Sequence, residues 1–241
     1  MFHFNLDKEV VTGIISGFFM IFLSVSMNFF SNNEFSNFIL RDILMILLLG
    51  FFFPLYYIII IKKRPISVFG IHKQKLGISL LINIIAAASL LAKFISQSET
   101  SIAFTTNSFY AITYIFAAGI FEMLFIYGFL RYEFERGFGI LFSILLTSSF
   151  YSFHHAGFQP EFTKLFFVGI LYSSTFYITR NIFVIFPFFW GVGAVWDVLV
   201  NSTAGSSIKN FDSFVIAMLI LICMLIISFV IYKHAPIKRN Q

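Results

Sequence analysis

The stretch that decides the fold is Ser108 to Leu130, SFYAITYIFAAGIFEMLFIYGFL, because it is long enough to cross the hydrocarbon core of a bilayer as one helix. It contains a single formal charge, that of Glu122, and the next charged residue is Arg131. Placing a charged side chain at the centre of a membrane helix costs about 2.5–3.5 kcal/mol on insertion scales. Glu122 is therefore predicted to face the protein interior and to handle protons or bind a ligand.

The composition of the whole chain is that of a membrane protein. Hydrophobic residues make up 59% of the 241 residues, charged residues make up 11%, and 37 residues are phenylalanine. The mean hydropathy is +0.91. A globular domain of this length could not bury so much apolar surface. Residues 1–241 are predicted to form one integral membrane domain, since no linker or internal repeat divides the sequence.

Eight apolar runs are candidate membrane spans, and each is predicted to be helical because none has the alternating pattern of barrel strands. The expected fold class is an all-α polytopic membrane bundle of about eight transmembrane helices. The runs are Val10 to Phe30, Ile43 to Ile61, Leu76 to Ile95, Ser108 to Leu130, Phe138 to Phe153, Phe162 to Ile178, Ile182 to Val200 and Phe214 to Tyr232.

The basic residues predict how these spans are oriented. If the amino terminus is cytoplasmic, twelve of the sixteen Lys and Arg residues fall on the cytoplasmic side, as the positive-inside rule requires. Both termini are then cytoplasmic. The net charge of +5 comes from residues that flank spans rather than from one basic patch. Nucleic acid is therefore not expected as a partner.

Few polar side chains interrupt the apolar runs, and these are the candidates for chemistry. Besides Glu122 they are His154 and His155 at the end of the fifth run, and Asp197 in the seventh run, where Trp190 lies nearby. The other three aspartates, Asp7, Asp42 and Asp212, are predicted to lie in or beside loops.

This inventory excludes three intramembrane mechanisms. A two-aspartate protease requires a pair of carboxyl groups that share a proton, and only one intramembrane aspartate is predicted. A zinc protease of the His-Glu-x-x-His type is absent, because no histidine is followed by glutamate. The serines beside the histidines lie on the same segment, which suits bonding within a helix better than Ser–His catalysis.

What remains is a glutamate and a histidine from adjacent spans, Glu122 and His154. A buried carboxylate can take a proton from water, while a nearby imidazole holds that water or protonates a leaving amine, which is general acid–base hydrolysis. The same side chains could instead ligate a metal, although one Glu with one or two His would leave the ligand shell incomplete. No cofactor is expected, and a metal stays open.

Two geometric expectations limit this pairing. His155 is predicted to point about 100° away from His154 around a helix, which makes it the weaker candidate. If the helices end where the apolar runs end, Glu122 and His154 lie about 13 Å and about 24 Å from the cytoplasmic ends of their helices. The two side chains then meet only if the helices tilt or if the first turn or two of the fifth run lies in the membrane interface, and otherwise the pair never meets.

Three segments of the chain resemble the CPBP family of membrane proteins, which contains the CAAX-prenyl endopeptidases and the bacteriocin self-immunity (Abi) proteins. The segment FEMLFIYGFL, followed by RYEFERGFG, resembles the first family motif, Glu-Glu-x-x-x-Arg. Phe150 and His154 match the second motif, Phe-x-x-x-His, and SVFGIHKQKLG at Ser67 to Gly77 resembles the loop before the third span. The motif-bearing core covers about residues 67–200.

The resemblance implies an intramembrane glutamate-dependent endopeptidase in which Glu122 activates water and His154 assists. Met123 stands where the family has a second glutamate, and Tyr127 stands where it has an arginine. Gly191 stands where a third motif has histidine.

Four further side chains are possible accessory groups of the same site. Asp197 or the Trp190 indole could supply a polar group in place of the third motif. The other two accessory candidates are His155 and Tyr127.

Functions of different classes are consistent with these residues. The first is the peptidase, acting on a membrane-associated peptide or lipidated peptide within lipid, in a bacterial cytoplasmic membrane as the resemblance implies. The second is a catalytically inactive relative that acts by binding, as a bacteriocin-immunity or regulatory membrane protein. The third is a proton-coupled transporter that uses Glu122 and Asp197. Glu122 and His154 favour the first, whereas the missing motif residues favour the second.

Overall fold

The computed structural model of the chain describes residues 4–30, 33–97, 105–156, 161–201 and 208–234. Within these ranges the protein is all-helical, without a β-strand. Each of the eight apolar runs contains a helix. These helices are α1 (Lys8–Phe29), α2 (Glu34–Ile61), α3 (Leu76–Gln97), α4 (Thr106–Phe138), α5 (Ile140–His154), α6 (Phe162–Thr179), α7 (Phe188–Trp196) and α8 (Phe211–His234).

Among the described residues, five helices are long and apolar enough to cross a membrane, namely α1, α2, α3, α4 and α8. Helix α5 is apolar but shorter. The outward faces of α3 and α8 carry large exposed apolar side chains, including Ile85 and Phe229. Soluble monomeric proteins rarely expose continuous apolar surfaces of this kind, so these faces contact lipid. The protein is an integral membrane protein.

Helix α4 lies at the centre of the bundle. Glu122 and every residue from Leu124 to Leu130 are buried. Helices α2, α5 and α8 pack against α4, and so does the short 3-10 helix Ile66–Phe69. The stretch Glu122–Leu130 is π-helical, as are Phe38–Phe52 and Tyr56–Ile61 of α2.

Helix α4 extends beyond its apolar run and continues through RYEFERGF to Phe138. The charged residues of this extension are paired: Arg131 with Glu135 at 3.0 Å, and Arg136 with Glu133 at 2.5 Å. Gly139 then turns the chain with φ 82°, a conformation that glycine adopts without a steric penalty. Helix α5 begins at the next residue and runs back along α4.

One end of the bundle collects basic residues that the charge pattern assigns to a common side. They form ion pairs with acids at the start of α1 and near the end of α4. The pairs are Lys62–Glu9, Arg64–Glu9, Arg136–Glu9, Arg136–Asp7 and Arg180–Glu135. These contacts hold the ends of α1, α2, α4 and α6 together.

Asp42 differs from the expectation that it lies in or beside a loop. Helix α2 begins at Glu34, and Asp42 is fully buried inside it. Both carboxylate oxygens accept hydrogen bonds from Arg41, at 2.8 and 3.2 Å, and Tyr114 of α4 donates to the same carboxylate. Because these partners satisfy the charge of Asp42, the carboxylate can be buried within the bundle.

Candidate functional site

Glu122 and the histidines lie at the same level of the bundle because α4 and α5 diverge from one turn. Glu122 precedes Gly139 by seventeen residues, and His154 follows Gly139 by fifteen. At a helical rise of 1.5 Å per residue, the two side chains lie about 25 and about 22 Å from the turn. The expected difference in depth is therefore wrong. It arose from ending the fourth helix at Leu130 instead of Phe138.

Glu122, His154 and His155 form one buried cluster. Oε1 of Glu122 lies 3.8 Å from Nε2 of His154 and 3.9 Å from Nε2 of His155. The centroids of the two imidazole rings are 3.8 Å apart. The structure thus brings together Glu122 and His154, as the sequence predicts. It places His155 equally close, which differs from the expectation that His155 points away.

One backbone carbonyl orients both imidazoles. Nδ1 of His154 lies 2.6 Å, and Nδ1 of His155 2.9 Å, from the carbonyl oxygen of Tyr151. Carbonyls in the last turn of a helix lack intrahelical partners, and His155 is the residue that caps α5. A carbonyl only accepts hydrogen bonds, so in neutral rings both Nδ1 atoms carry the proton and both Nε2 atoms present a lone pair. The shared carbonyl explains why His155 turns back towards Glu122.

Helix α1 holds the carboxyl end of α5 in place. The Ser24 hydroxyl donates to the carbonyl of His154, and the Asn28 amide donates to the carbonyl of Ala156 at 3.2 Å. Ser24 and Asn28 lie one turn apart on α1, so one face of that helix binds both carbonyls. Sequence reasoning missed Ser24, because nothing distinguishes it from the other serines in apolar runs.

Trp190 binds the second carboxylate oxygen of Glu122. Its indole Nε1 donates to Oε2 at 2.6 Å, and the ring is buried. The sequence analysis proposes this indole as an accessory polar group of the site, and the structure places it against Glu122. Gly119 allows the close approach, because a Cβ atom at that position would lie 2.3 Å from the indole ring.

Asn83 of α3 positions the segment that carries Trp190. Its side-chain amide donates to the carbonyls of Phe183 and Phe186 at 2.7 and 2.6 Å, and its oxygen accepts from the N–H of Phe189 at 2.6 Å. These three backbone groups flank Pro187, which lies in the turn between the 3-10 helix Ile182–Val184 and α7. Sequence reasoning missed Asn83, although a lone asparagine in the apolar run of α3 was a usable signal.

Tyr127 is fully buried, and its hydroxyl has no hydrogen-bond partner among the described residues. Its ring lies 5.6 Å from that of Tyr151 and 6.0 Å from that of Tyr172, measured between centroids. Met123 is half-buried and packs against the core. Gly191 offers no functional group, and a Cβ atom there would lie 2.9 Å from the Phe116 ring.

Asp197 follows α7 directly and links that helix to α6. Its Oδ1 accepts a hydrogen bond from Nζ of Lys164 at 2.9 Å, and Lys164 also binds Glu161 at 2.6 Å. The structure thus shows Asp197 as a link between two helices. A role in the site stays a prediction.

The cluster combines one carboxylate oxygen with two imidazole nitrogens, and one ligand atom from each residue lies within 4.8 Å of the others. Three acceptors that face one another can share a proton, a water molecule or a cation. Comparison of the chain with protein-family models, with curated proteins and with solved structures gave no match. The function is therefore argued from the site itself.

Proposed function

We propose that the protein is an intramembrane hydrolase that cleaves a membrane-associated peptide with a water molecule activated at Glu122. The observation that carries this proposal is the buried convergence of Glu122, His154 and His155 within a membrane bundle. Placing an ionisable group inside a membrane helix costs free energy. Where such groups occur, they commonly mark proton-handling sites.

The reaction uses groups whose positions are fixed by hydrogen bonds. Water sits between Oε1 of Glu122 and the two Nε2 atoms, and it donates one hydrogen to the carboxylate and one to an imidazole. Its oxygen bonds to the peptide carbonyl carbon as Glu122 takes the proton. The carbon–nitrogen bond then breaks, and the proton passes to the leaving nitrogen. The products are a carboxylic acid and an amine, without a covalent enzyme intermediate.

The orphaned hydroxyl of Tyr127 supports a substrate contact beside the cluster. Nearly all buried polar side-chain atoms in folded proteins have a hydrogen-bond partner, so one without a partner calls for an explanation. The Tyr127 ring packs on Tyr151, whose carbonyl orients both histidines. We assign the Tyr127 hydroxyl as a donor to the carbonyl oxygen of the bound peptide.

The finer identity that we propose is a divergent relative of the CPBP family in a bacterial cytoplasmic membrane. About eight spans and cytoplasmic termini belong to this proposal. It is supported by the spacing of Glu122, Phe150 and His154, and by the basic residues gathered at one end of the bundle. The substrate class is then a peptide or lipidated peptide that enters from the membrane.

A second candidate is a catalytically inactive protein that acts by binding a membrane partner, as an immunity or regulatory protein. The observations that favour it are the absence of charged groups at Met123 and Tyr127, and the close cover that Trp190 provides over Glu122. Such a protein needs the shape of the bundle and not the chemistry of the carboxylate.

Glu122→Gln separates the two candidates. Wild type and variant are reconstituted in proteoliposomes with a fluorescence-quenched peptide that ends in a farnesylated CAAX sequence, and with the same peptide without lipid. We expect the wild type to cleave at least one probe, and the variant to be slower by at least about 100-fold, because a positioned acid–base group contributes 10²–10⁴-fold.

The matched control is Glu34→Gln, which neutralises an exposed acid at the start of α2. It is expected to cleave at the wild-type rate. Equal rates for wild type and Glu122→Gln would contradict the hydrolase. Cleavage of neither probe by well-folded wild type would favour the binding candidate.

A further inference from the structure

A cavity of about 470 Å³ lies at the end of the bundle where the basic residues gather. Its wall is formed by the charged extension of α4, by the 3-10 helix Ile66–Phe69 with the residues that follow it, and by the carboxyl end of α6. Arg131 belongs to this wall and follows Glu122 by nine residues, or at least about two turns along α4. The cavity is therefore separate from the cluster of Glu122, His154 and His155.

The wall of this cavity is positively charged. It contains three arginines and one acid, which leaves an excess of two positive charges. These charged residues are Arg131, Arg136, Arg180 and Glu135. Guanidinium groups match the geometry of phosphate oxygens and often bind them through two parallel hydrogen bonds. A phosphate group is therefore the ligand that this wall favours.

The acids around the wall do not cancel its charge. Among the described residues, Arg136 also pairs with three acids that do not line the cavity, and one of these acids pairs with two further basic residues. The acids are Asp7, Glu9 and Glu133, and the basic residues that pair with Glu9 are Lys62 and Arg64. The whole network thus has five basic residues and four acids, and the excess faces the cavity.

Arg131 supplies a fixed positive charge. It is 3% exposed, its Nε donates to the carbonyl of Tyr127, and its Nη2 donates to the carbonyl of Val68, both at 2.8 Å. The guanidinium carbon lies 4.1 Å from the centroid of the Phe176 ring, on which it stacks. These contacts hold the group in place, so its charge acts on the cavity without any movement of the side chain.

Arg180 supplies hydrogen-bond donors that a ligand can reach. Its side chain is 46% exposed, and among the described residues that side chain hydrogen-bonds only to Glu135, through Nη1. Nε and Nη2 therefore have N–H groups to offer to a ligand. Exposed ion pairs contribute little to stability, so a phosphate group competes with Glu135 for this guanidinium at a small cost.

Hydrogen bonds join the loop after the 3-10 helix to the end of α6. The Asn181 amide donates to the carbonyls of His72 and Gln74 at 2.8 and 3.0 Å. Nε2 of His72 lies 3.0 Å from the carbonyl oxygen of Arg180. The cavity is thereby preformed, as pockets for small ligands usually are, and its volume falls in their range of about 300–1,000 Å³.

The cavity lies where the apolar part of the bundle ends. The apolar run of α4 ends at Leu130, and Val68 and Phe176 add apolar groups to the wall. Ile66 and Ile178, each two residues along the chain from one of these, are 41% and 61% exposed. Phospholipids place a charged phosphate next to apolar chains, and basic pockets between membrane helices bind such headgroups. We propose that the cavity binds the phosphate group of an anionic phospholipid.

Native mass spectrometry of the full-length protein, released from detergent micelles, tests this proposal by counting bound lipids. Delipidated protein is titrated with phosphatidylglycerol or with zwitterionic phosphatidylcholine. We expect wild type to bind one phosphatidylglycerol about 10-fold or more tightly than phosphatidylcholine, because two excess positive charges face the headgroup. Arg180→Gln is expected to weaken phosphatidylglycerol binding by about 10-fold or more, because a hydrogen bond between charged groups is lost.

Lys63→Gln is the matched control, because it removes an exposed positive charge at the same end of the bundle and outside the cavity wall. It should leave the affinity for phosphatidylglycerol unchanged. Glu135→Gln is expected to strengthen binding by about 2- to 5-fold, because the acid no longer competes for Arg180. A variant that is merely misfolded would not bind more tightly. Elution volume and Tm compare the folding of all variants.

Inorganic phosphate as a competitor distinguishes a lipid from a free phosphate. Phosphatidylglycerol that stays bound in millimolar phosphate would support the lipid, whereas complete displacement would overturn the lipid and leave a site for free phosphate. Equal affinity of wild type and Arg180→Gln for phosphatidylglycerol, or equal affinity of wild type for the two lipids, would overturn the inference. The inference goes beyond the proposed hydrolase and does not rest on it, so a protein that cleaves neither probe should bind the lipid in the same way.

Discussion

At Glu122 one carboxylate serves two partners, since Oε2 accepts the Trp190 indole N–H and Oε1 faces two imidazoles. Trp190→Phe retains most of the ring packing and removes that N–H. A hydrogen bond to a charged group contributes about 1.5–3 kcal/mol, so we expect cleavage to slow by about 10- to 100-fold. The rate of probe cleavage in proteoliposomes measures this.

Trp196→Phe is the matched control for that prediction. The Trp196 ring stacks on Phe94 with centroids 5.1 Å apart, and its loss should leave the cleavage rate near that of the wild type. Equal losses in the two variants would mean that the indole–carboxylate bond has no special role.

Tyr127→Phe removes a buried hydroxyl without a partner, whereas Tyr114→Phe removes one that donates to Asp42. The first change is expected to leave the free energy of unfolding unchanged or to raise it by about 1 kcal/mol. The second should lower it by about 1–3 kcal/mol, because Asp42 stays buried with one partner fewer. Thermal and denaturant unfolding in detergent compare the two variants, and equal destabilisation would contradict the account of Tyr127.

For single residues, the sequence predicts that Glu122 and His154 belong to the site, because an acid or an imidazole inside an apolar run is rare enough to be noticed. It misjudges His155, whose direction is set by a shared carbonyl at a helix end and not by helical periodicity. Ser24 and Asn83 act through hydrogen bonds to the backbone of distant segments. The sequence does not show which segment such a side chain binds, even where a lone amide in an apolar run, as at Asn83, indicates that it binds something.

Among the helices, α3 determines where Trp190 lies, because its Asn83 binds three backbone groups around Pro187. Asn83→Ala leaves those groups unsatisfied, at about 1–3 kcal/mol for each buried group. We expect a loss of at least about 2 kcal/mol in the free energy of unfolding. In a Trp196→Phe background, the fluorescence of Trp190 should shift to the red as water reaches the indole.

Asn28→Ala is the control for that change, because the Asn28 amide donates one hydrogen bond at an exposed position. It should cost less than about 1 kcal/mol and leave the fluorescence unchanged. A stable Asn83→Ala variant with unaltered fluorescence would show that α3 does not position Trp190.

The apolar runs predict where the helices lie. They do not predict the residues at which the helices begin and end. Helix α4 continues to Phe138 and α2 begins at Glu34, because Arg131, Glu133 and Asp42 find partners inside the protein. Hydropathy treats each of these charges as a solvated residue. The π-helical stretch from Glu122 to Leu130 also shifts the phase of the side chains that follow it, and the composition does not indicate this shift.

For the whole molecule, the ion pairs at one end of the bundle support a cytoplasmic side that contains Gln74 and an outer side that contains Glu34. In a Cys223→Ser background, a membrane-impermeant maleimide should label Glu34→Cys in intact cells. It should label Gln74→Cys only after permeabilisation. The reverse pattern would contradict the orientation, and the parent Cys223→Ser should stay unlabelled.

In the proposed reaction, water that is activated in the cluster of Glu122, His154 and His155 cleaves a peptide bond. Cleavage of the peptide probes by wild-type proteoliposomes in H₂¹⁸O tests that claim directly. We predict that mass spectrometry finds one ¹⁸O atom in the new carboxyl terminus, and that Glu122→Gln gives no such product. A wild-type product without the label, or equal labelled product from Glu122→Gln, would contradict the account.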